Sequence, residues 1–281
     1  MDSSGHGDTR PGGGPEAGGT SARPAARVPR RSGPASSART AVVWEVLSAV
    51  LAEAQQAAGR RLEVVDAGGG SGGFAVPLAE AGHRVVVVDP SPDSLAALSR
   101  RAEEAGVGDR VRAVQGDLAD LSGALGDLAG AVDLVLCHSV LEVVDDPATA
   151  LAALAGVLRP GGRLSLLAPN RAAAVLARAL AGRPDEAAHV LSDPAGRWGP
   201  GDGTARRWDA TALGELVAAS GLVVEQVHGV RVVADLVPSA VLDLEPGAAA
   251  ALLALERALS DRSPFRDLAT LLHVLAVRPV G

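Results

Sequence analysis

The stretch Val64-Val-Asp-Ala-Gly-Gly-Gly-Ser-Gly-Gly73 sets the frame for the chain. An apolar pair runs into an aspartate and then into a segment that is almost all glycine. Glycine is the residue a chain uses where its backbone must turn sharply or approach a ligand closely. Two patterns overlap here. Gly68, Gly70 and Gly73 spell G-x-G-x-x-G, the dinucleotide fingerprint. Asp66, Gly68, Gly70 and Gly72 spell D-x-G-x-G-x-G, with a carboxylate set just ahead of the glycines.

The surrounding sequence alternates strand and helix signals. Upstream, "TAVVWEVLSAVLAEAQQAAG" has apolar residues at helical spacing and stops at Gly59. "LEVVDAG" reads as a buried strand, "GFAVPLAEAGH" as a helix, and "RVVVVDP" as a second strand. "SPDSLAALSRRAEEAG" is a helix with Ser91 as N-cap, Pro92 in its first position and Gly106 after its end. "RVRAVQGD", "VDLVLCHS" and "RLSLLAPN" supply three more strands, and "DPATALAALAGVLRPGG" the helix before the last of them. The strands are mainly continuous Val/Leu runs, which marks a parallel sheet covered on both faces. Arg171 to Trp208 breaks the rhythm and reads as an insertion or lid. "DATALGELVAASG" capped by Asp209, "LVVEQVHGVRVV", "PGAAAALLALERALS" and "ATLLHVLAV" then give helix, strand, helix and strand.

Composition narrows the classes. The chain has 281 residues, of which 47% are hydrophobic and 2% aromatic, so its core is aliphatic. All 26 basic residues are arginine, and the net charge is −7, which argues against a protein that coats nucleic acid with a large positive field. Cys137 is the only cysteine, so an intramolecular disulfide and a cysteine-based zinc site are ruled out, in keeping with a reducing cytosol. Apolar runs such as Val85 to Val88 are strand-length, too short for a membrane span. Residues 1–38 are Gly-, Pro-, Ser-, Ala- and Arg-rich, which predicts a disordered arm ahead of a domain over 39–281. The arm has no apolar core of a secretory signal.

In an open parallel sheet ligands sit beyond the carboxyl ends of the strands. There the first strand offers Asp66 and the glycine turn with Gly68, Gly69 and Gly70. The second offers Asp89, the third Gln115, Gly116 and Asp117, the fourth His138 and the fifth Asn170. Asp89 follows Gly68 at the distance where a carboxylate accepts ribose hydroxyls. Asp117 or its neighbours are placed to read an adenine edge. Asp66 decides between the two glycine patterns: it would repel a pyrophosphate and attract the ammonium of S-adenosylmethionine.

The ordered set "VVDAGGGSGG", "VVVVDPS", "QGD", "VDLVLCHSVLEVVDDP" and "LRPGGRLSLLAPN" resembles the class I S-adenosylmethionine-dependent methyltransferases. The resemblance implies an α/β fold with a Rossmann-like, seven-stranded, mostly parallel sheet and helices on both faces. "ARTAVVWEVL", "CHSVLEVVDDP", "GVRVVADL" and "LHVLAVRP" are further similar to the bacterial tRNA 5-carboxymethoxyuridine methyltransferases, over Arg39 to Pro279. That likeness implies esterification of a carboxylate on the tRNA wobble uridine, in the cytoplasm. It puts cofactor contacts on Arg39, Gly68, Gly69, Asp89, Gln115, Gly116 and His138. The chain departs from that family after the fifth strand, where "GRPDEAAHVLSDP" replaces a lysine-rich run.

A carboxylate is already nucleophilic at neutral pH, so the chemistry needs alignment and a cation to hold the acceptor more than a base. Arg231 is the first candidate, with Asn170, Arg171, Arg206 and Arg207 behind it. His138 reads either as a general base or as a ring packed on the cofactor. Cys137 and His273 read as buried core residues, and Trp198 and Trp208 as base-stacking or lid-packing residues. Two other functions fit the same sequence: a small-molecule O- or N-methyltransferase acting on a metabolite, and a cofactor-binding protein without turnover.

Overall fold

The computed structural model describes residues 34–281, apart from the side chains of 34–39, 239 and 243. The predicted arm therefore lies largely outside the described residues. Helix α1 spans Pro34–Ala58 and begins inside the segment assigned to that arm. Proline is well tolerated in a first helical turn, and the Ala and Ser residues after it continue the helix at little cost.

The strands are β1 (Glu63–Ala67), β2 (Arg84–Asp89), β3 (Val111–Gln115), β4 (Val132–His138), β5 (Leu158–Pro169), β6 (Val223–Val230) and β7 (Leu271–Val277). They form one sheet in the order β3-β2-β1-β4-β5-β7-β6. β1 through β5 pair in parallel, whereas β7 enters antiparallel between β5 and β6. The order reverses between β1 and β4, so the carboxyl ends of these two strands flank a crevice.

The even and odd residues of each inner strand feed two separate cores. Val64, Val85, Val87, Leu134 and Leu136 pack under α1, α2 (Ala75–Glu80) and α3 (Pro92–Glu104). Val65, Val86, Val135, Cys137 and Leu166 pack under α4 (Leu121–Leu125), α5 (Pro147–Val157) and α8 (Ala210–Ala219). This double burial is why these strands read as unbroken apolar runs. β3 is one of the two edge strands, and Arg112 and Ala113 in it are exposed.

Caps set several helix starts. Ser91 accepts from Ser94 N at 3.2 Å, Asp146 from Ala148 N at 3.0 Å and Asp209 from Ala212 N at 2.8 Å. The segment read as an insertion or lid is more regular than its composition suggests: α6 (Arg171–Leu180) and α7 (Pro184–Ser192) make up much of it. Asn170 caps α6 through Ala172 N. The last third of the chain adds α9 (Ser239–Leu244) and α10 (Ala248–Leu259). No described helix is long and apolar enough to cross a membrane.

Candidate functional site

The turn from β1 to α2 is built so that backbone stands where side chains would otherwise be. Gly68 has φ +75°, its N–H donates to Val88 O at 2.7 Å, and a Cβ there would overlap the Val140 side chain. A Cβ at Gly69 would overlap the Asp66 carboxylate. The turn is thus closed against the loop after β4 on one side and against Asp66 on the other.

Asp66 is the penultimate residue of β1 and is 3% exposed, and its Oδ2 has no hydrogen-bond partner among the described residues. Burial, with the nearby charge of Asp89, pushes its carboxyl up to about 7. Asp89 ends β2 and is also buried. Its Oδ2 accepts from Gly70 N at 2.9 Å and its Oδ1 from Ser91 N at 2.8 Å. Each oxygen keeps a second lone pair, so Asp89 can shape the glycine turn and still accept from a ligand.

A cleft of about 360 Å³ opens beside these groups, walled by Gly68, Pro90, Asp117, Leu118, Val140 and Val144 among others. Asp117 also accepts from Ala119 N at 3.0 Å and so starts the short turn carrying Leu118. Gln115 is exposed and donates to Pro90 O at 3.3 Å, and Gly116 N donates to Asp89 O at 3.3 Å. His138 ends β4. Its Nε2 lies 2.8 Å from Ser165 Oγ, and Phe74 meets its ring edge-on at 4.6 Å. Burial pushes its imidazole down to about 3, so the ring is neutral. The Arg39 side chain lies outside the described residues.

The residues expected to hold the acceptor divide. Asn170 is 2% exposed, and both its amide hydrogens are used: besides capping α6 through Oδ1, its Nδ2 donates to Asp267 O at 2.9 Å and Ala269 O at 2.7 Å. It pins the segment after β5 to the turn before β7 and has no N–H left to donate to a substrate. Arg207 grips Asp202 bidentately, at 2.6 and 2.9 Å, and also donates to Gly196 O. Arg171 donates to Pro194 O at 2.6 Å. Arg206 donates to Val144 O, and to Asp145 O at 2.8 Å, which fastens the lid to the wall of the cleft. These three arginines serve as struts of the lid. Trp198 packs within the lid, under the Arg178 guanidinium at 4.8 Å.

Arg231 follows β6, has φ +62°, pairs with Asp235 at 2.5 Å and, like Arg171, keeps a buried Nε without a hydrogen-bond partner among the described residues. The turn that carries it is held by Glu256, whose fully buried carboxylate accepts from Val232 N at 3.0 Å and from Val233 N and Ala234 N at 2.7 Å each. Sequence reasoning missed Glu256, whose trace was a lone acid in the apolar run "ALLALERAL". It also missed Ser165, the one hydroxyl inside the strand "RLSLLAP". Cys137 is buried, with its thiol pushed up to about 12 by burial and by the charges of Glu142 and Asp66, so it is no nucleophile. Among the described residues no group of three or more His, Cys, Asp or Glu is placed to hold a metal ion.

Fold and site together define an α/β protein with a cleft beside a glycine turn, at the crevice of a seven-stranded, mostly parallel sheet. Residues 65–166 match the family model described as a methyltransferase domain. It is similar to the tRNA 5-carboxymethoxyuridine methyltransferase of Escherichia coli (strain K12), 39% identical over 147 residues, or 52% of this chain and 54% of that one. It is also similar to a ubiquinone biosynthesis O-methyltransferase of Xanthomonas axonopodis pv. citri (strain 306), 36% identical over 121 residues, 42% of this chain and 48% of that one. The chain spans about half the length of the curated relatives it matches. Magnesium protoporphyrin IX methyltransferase from Synechocystis PCC 6803, solved with bound S-adenosylhomocysteine, shares the fold at TM-score 0.53 and 18% identity, over 89% of each chain.

Proposed function

We propose that this chain transfers a methyl group from S-adenosylmethionine to a carboxylate, and that the acceptor is 5-carboxymethoxyuridine at the wobble position of tRNA. The observation that carries the methyl-transfer reading is the pair of buried carboxylates beside the glycine turn. Asp66 holds an orphaned oxygen that a cofactor ammonium would satisfy, and Asp89 has lone pairs to spare for a ribose. The cleft at Asp117 and Leu118 offers apolar walls and the Asp117 carboxylate to an adenine.

When bound, the cofactor supplies an electrophilic methyl on a sulfonium. The protein's part is alignment. The glycine turn, Asp66 and Asp89 fix one partner, with Gln115, Gly116 and Arg39 as further contacts. Arg231 is assigned to the acceptor carboxylate, because its guanidinium retains an unpartnered Nε on a rigid turn. His138 stays neutral and is assigned to packing and hydrogen bonding near the cofactor, since a carboxylate has no proton to lose. The tRNA reading draws on the 39% identity to the Escherichia coli enzyme and brings a cytoplasmic location with it.

A second reading is O-methylation of a small apolar metabolite. It draws on the exposed Leu180 and Leu191 of the lid and on the likeness to the ubiquinone biosynthesis enzymes. Mass spectrometry of tRNA nucleosides from cells with and without the gene separates the two. The tRNA reading expects a methyl-ester uridine lost on deletion and restored by purified protein with S-adenosylmethionine. An unchanged nucleoside profile overturns it.

A further inference from the structure

Four strands carry one row of side chains. His138 on β4 pairs with Leu167 on β5, Leu167 with His273 on β7, and His273 with His228 on β6. Residues in register point to the same face, and so does Ser165, two positions before Leu167. Ser165 bridges the row: its Oγ lies 2.8 Å from His138 Nε2 and 2.8 Å from His273 Nε2. Ser165 and His273 are fully buried, and His228 stacks on His273 with ring centroids 5.7 Å apart. Burial pushes His138, His273 and His228 down, with Asp261 and Arg266 acting weakly on His228 at the far end, so the row is uncharged at neutral pH.

A serine hydroxyl has one proton. Between two imidazole nitrogens it donates to one and accepts from the other. One ring must then carry its proton on Nε2 and present a bare Nδ1, while the other carries it on Nδ1 and presents a bare Nε2. The two rings are opposite tautomers. Two arrangements satisfy the row, with the same protons and no net charge, and they differ in whether His138 shows a donor or an acceptor at Nδ1. That atom and the Nδ1 of His273 are buried without a hydrogen-bond partner among the described residues. His138 lies two residues before Val140, which closes over Gly68 and walls the cleft.

We propose that Ser165 and His273 are positioning residues that couple the tautomer of His138 to that of His273, so that the site presents a donor or an acceptor at His138 Nδ1 according to the group bound there. The inference rests on the proposed function insofar as His138 belongs to the methyl-transfer site. A carboxylate acceptor selects the arrangement with Nδ1–H on His138 and Nε2–H on His273.

The test is a two-bond proton–nitrogen correlation spectrum of the whole chain with ¹⁵N-labelled histidine at pH 7. It is recorded free, with S-adenosylhomocysteine, and with that plus the carboxymethoxyuridine nucleoside. His138 and His273 are expected neutral and of complementary tautomer in every state, with Nδ1–H on His138 once the nucleoside is bound. Ser165→Ala is expected to uncouple them, as is His273→Phe, and Ser165→Ala to lower kcat about tenfold with the cofactor KM unchanged. Two rings of the same tautomer in the wild type overturn the proposal, and so does a His138 tautomer indifferent to both substitutions. The wild-type spectrum needs no variant to fold. It reads the coupling even where no acceptor is methylated, in which case the methyl-transfer reading fails by itself.

Discussion

An aspartate that is 3% exposed, with one oxygen unpaired, costs the fold free energy whenever it is charged. Asp66 is in that position. Because its carboxyl is pushed up from 3.8 to about 7, the folded chain binds a proton there that the unfolded chain has already lost. Its contribution is fully present below 3.8, is lost as pH rises, and the loss is complete above about 7. The distance between the two values amounts to roughly 4 kcal/mol. Asp66→Asn is therefore expected to match the wild type in acid and to be the more stable by a few kcal/mol at pH 8, as read by denaturant unfolding at pH 4 and pH 8. The same substitution is expected to weaken S-adenosylmethionine at least tenfold in calorimetric titration at pH 8, because an ammonium favours the ionised carboxylate. A stability difference that does not change with pH would mean that Asp66 is solvated in the free protein.

At the scale of elements, the end of β6 shows where sequence and structure part. "LVVEQVHGVRVV" reads as one strand, yet the sheet pairing ends at Val230. Arg231 turns left-handed, and Glu256 on α10 captures the next three backbone N–H groups that a strand would have given to a neighbour. A carboxylate that arrives from another helix leaves no mark in the local pattern of Val232 and Val233. The inner strands were legible because each is buried on both faces and so carries its environment in its own residues. Of the candidate site, the positions of Asp66, Asp89, Asp117 and His138 at or just beyond the carboxyl ends of strands were legible in the sequence. The lid arginines were not, since a guanidinium that braces a carbonyl reads the same as one that waits for a substrate. Glu256→Gln keeps the shape of the clamp and removes its charge. It replaces one accepting oxygen with a donor facing N–H groups, which costs about 2–3 kcal/mol. The turn should loosen, which raises the KM for the acceptor several-fold while the affinity for S-adenosylhomocysteine holds within about twofold. Loss of cofactor affinity in step with the acceptor would show that the turn supports the whole cleft and not Arg231 alone.

Across the whole molecule the two edges of the sheet divide the work. The carboxyl edge gathers groups that are buried and underpartnered: Asp66 Oδ2, His138 Nδ1 and Arg231 Nε. The amino edge is more fully bonded, although the buried Nδ1 of His83 there also lacks a partner among the described residues. Asp133, 4% exposed, accepts from Arg60 at 2.8 and 3.0 Å, from Arg159 at 2.6 Å and from Glu63 N at 2.8 Å, so it ties β1, β4 and β5 together at the end away from the cleft. Burial alone would raise its carboxyl, but the hydrogen bonds from Arg60, Arg159 and Glu63 N outweigh it and hold the group below its ordinary value. Its contribution is thus complete above the ordinary carboxylate range and is lost as pH falls through the depressed value. Asp133→Asn leaves two arginines facing a neutral amide and is expected to cost about 3 kcal/mol at pH 7. The cost should shrink toward zero in strong acid, as the effect of Asp66→Asn does, but the two are opposite in sign: as pH rises Asp133→Asn destabilises and Asp66→Asn stabilises. His138, His228 and His273, which favour the neutral form and so lower stability in acid, are common to wild type and variant and cancel from the difference, whereas His83, on which the Asp133 charge acts, does not cancel fully. Unfolding at pH 7 and at pH 3, beside calorimetric titration with S-adenosylhomocysteine, checks both halves of the argument. Stability should fall while cofactor affinity stays within about twofold, because no hydrogen bond of Asp133 reaches the glycine turn or the cleft. A large loss of affinity would mean that the amino edge sets the spacing of β1 and β4 at the crevice, and that the two edges of the sheet are mechanically one.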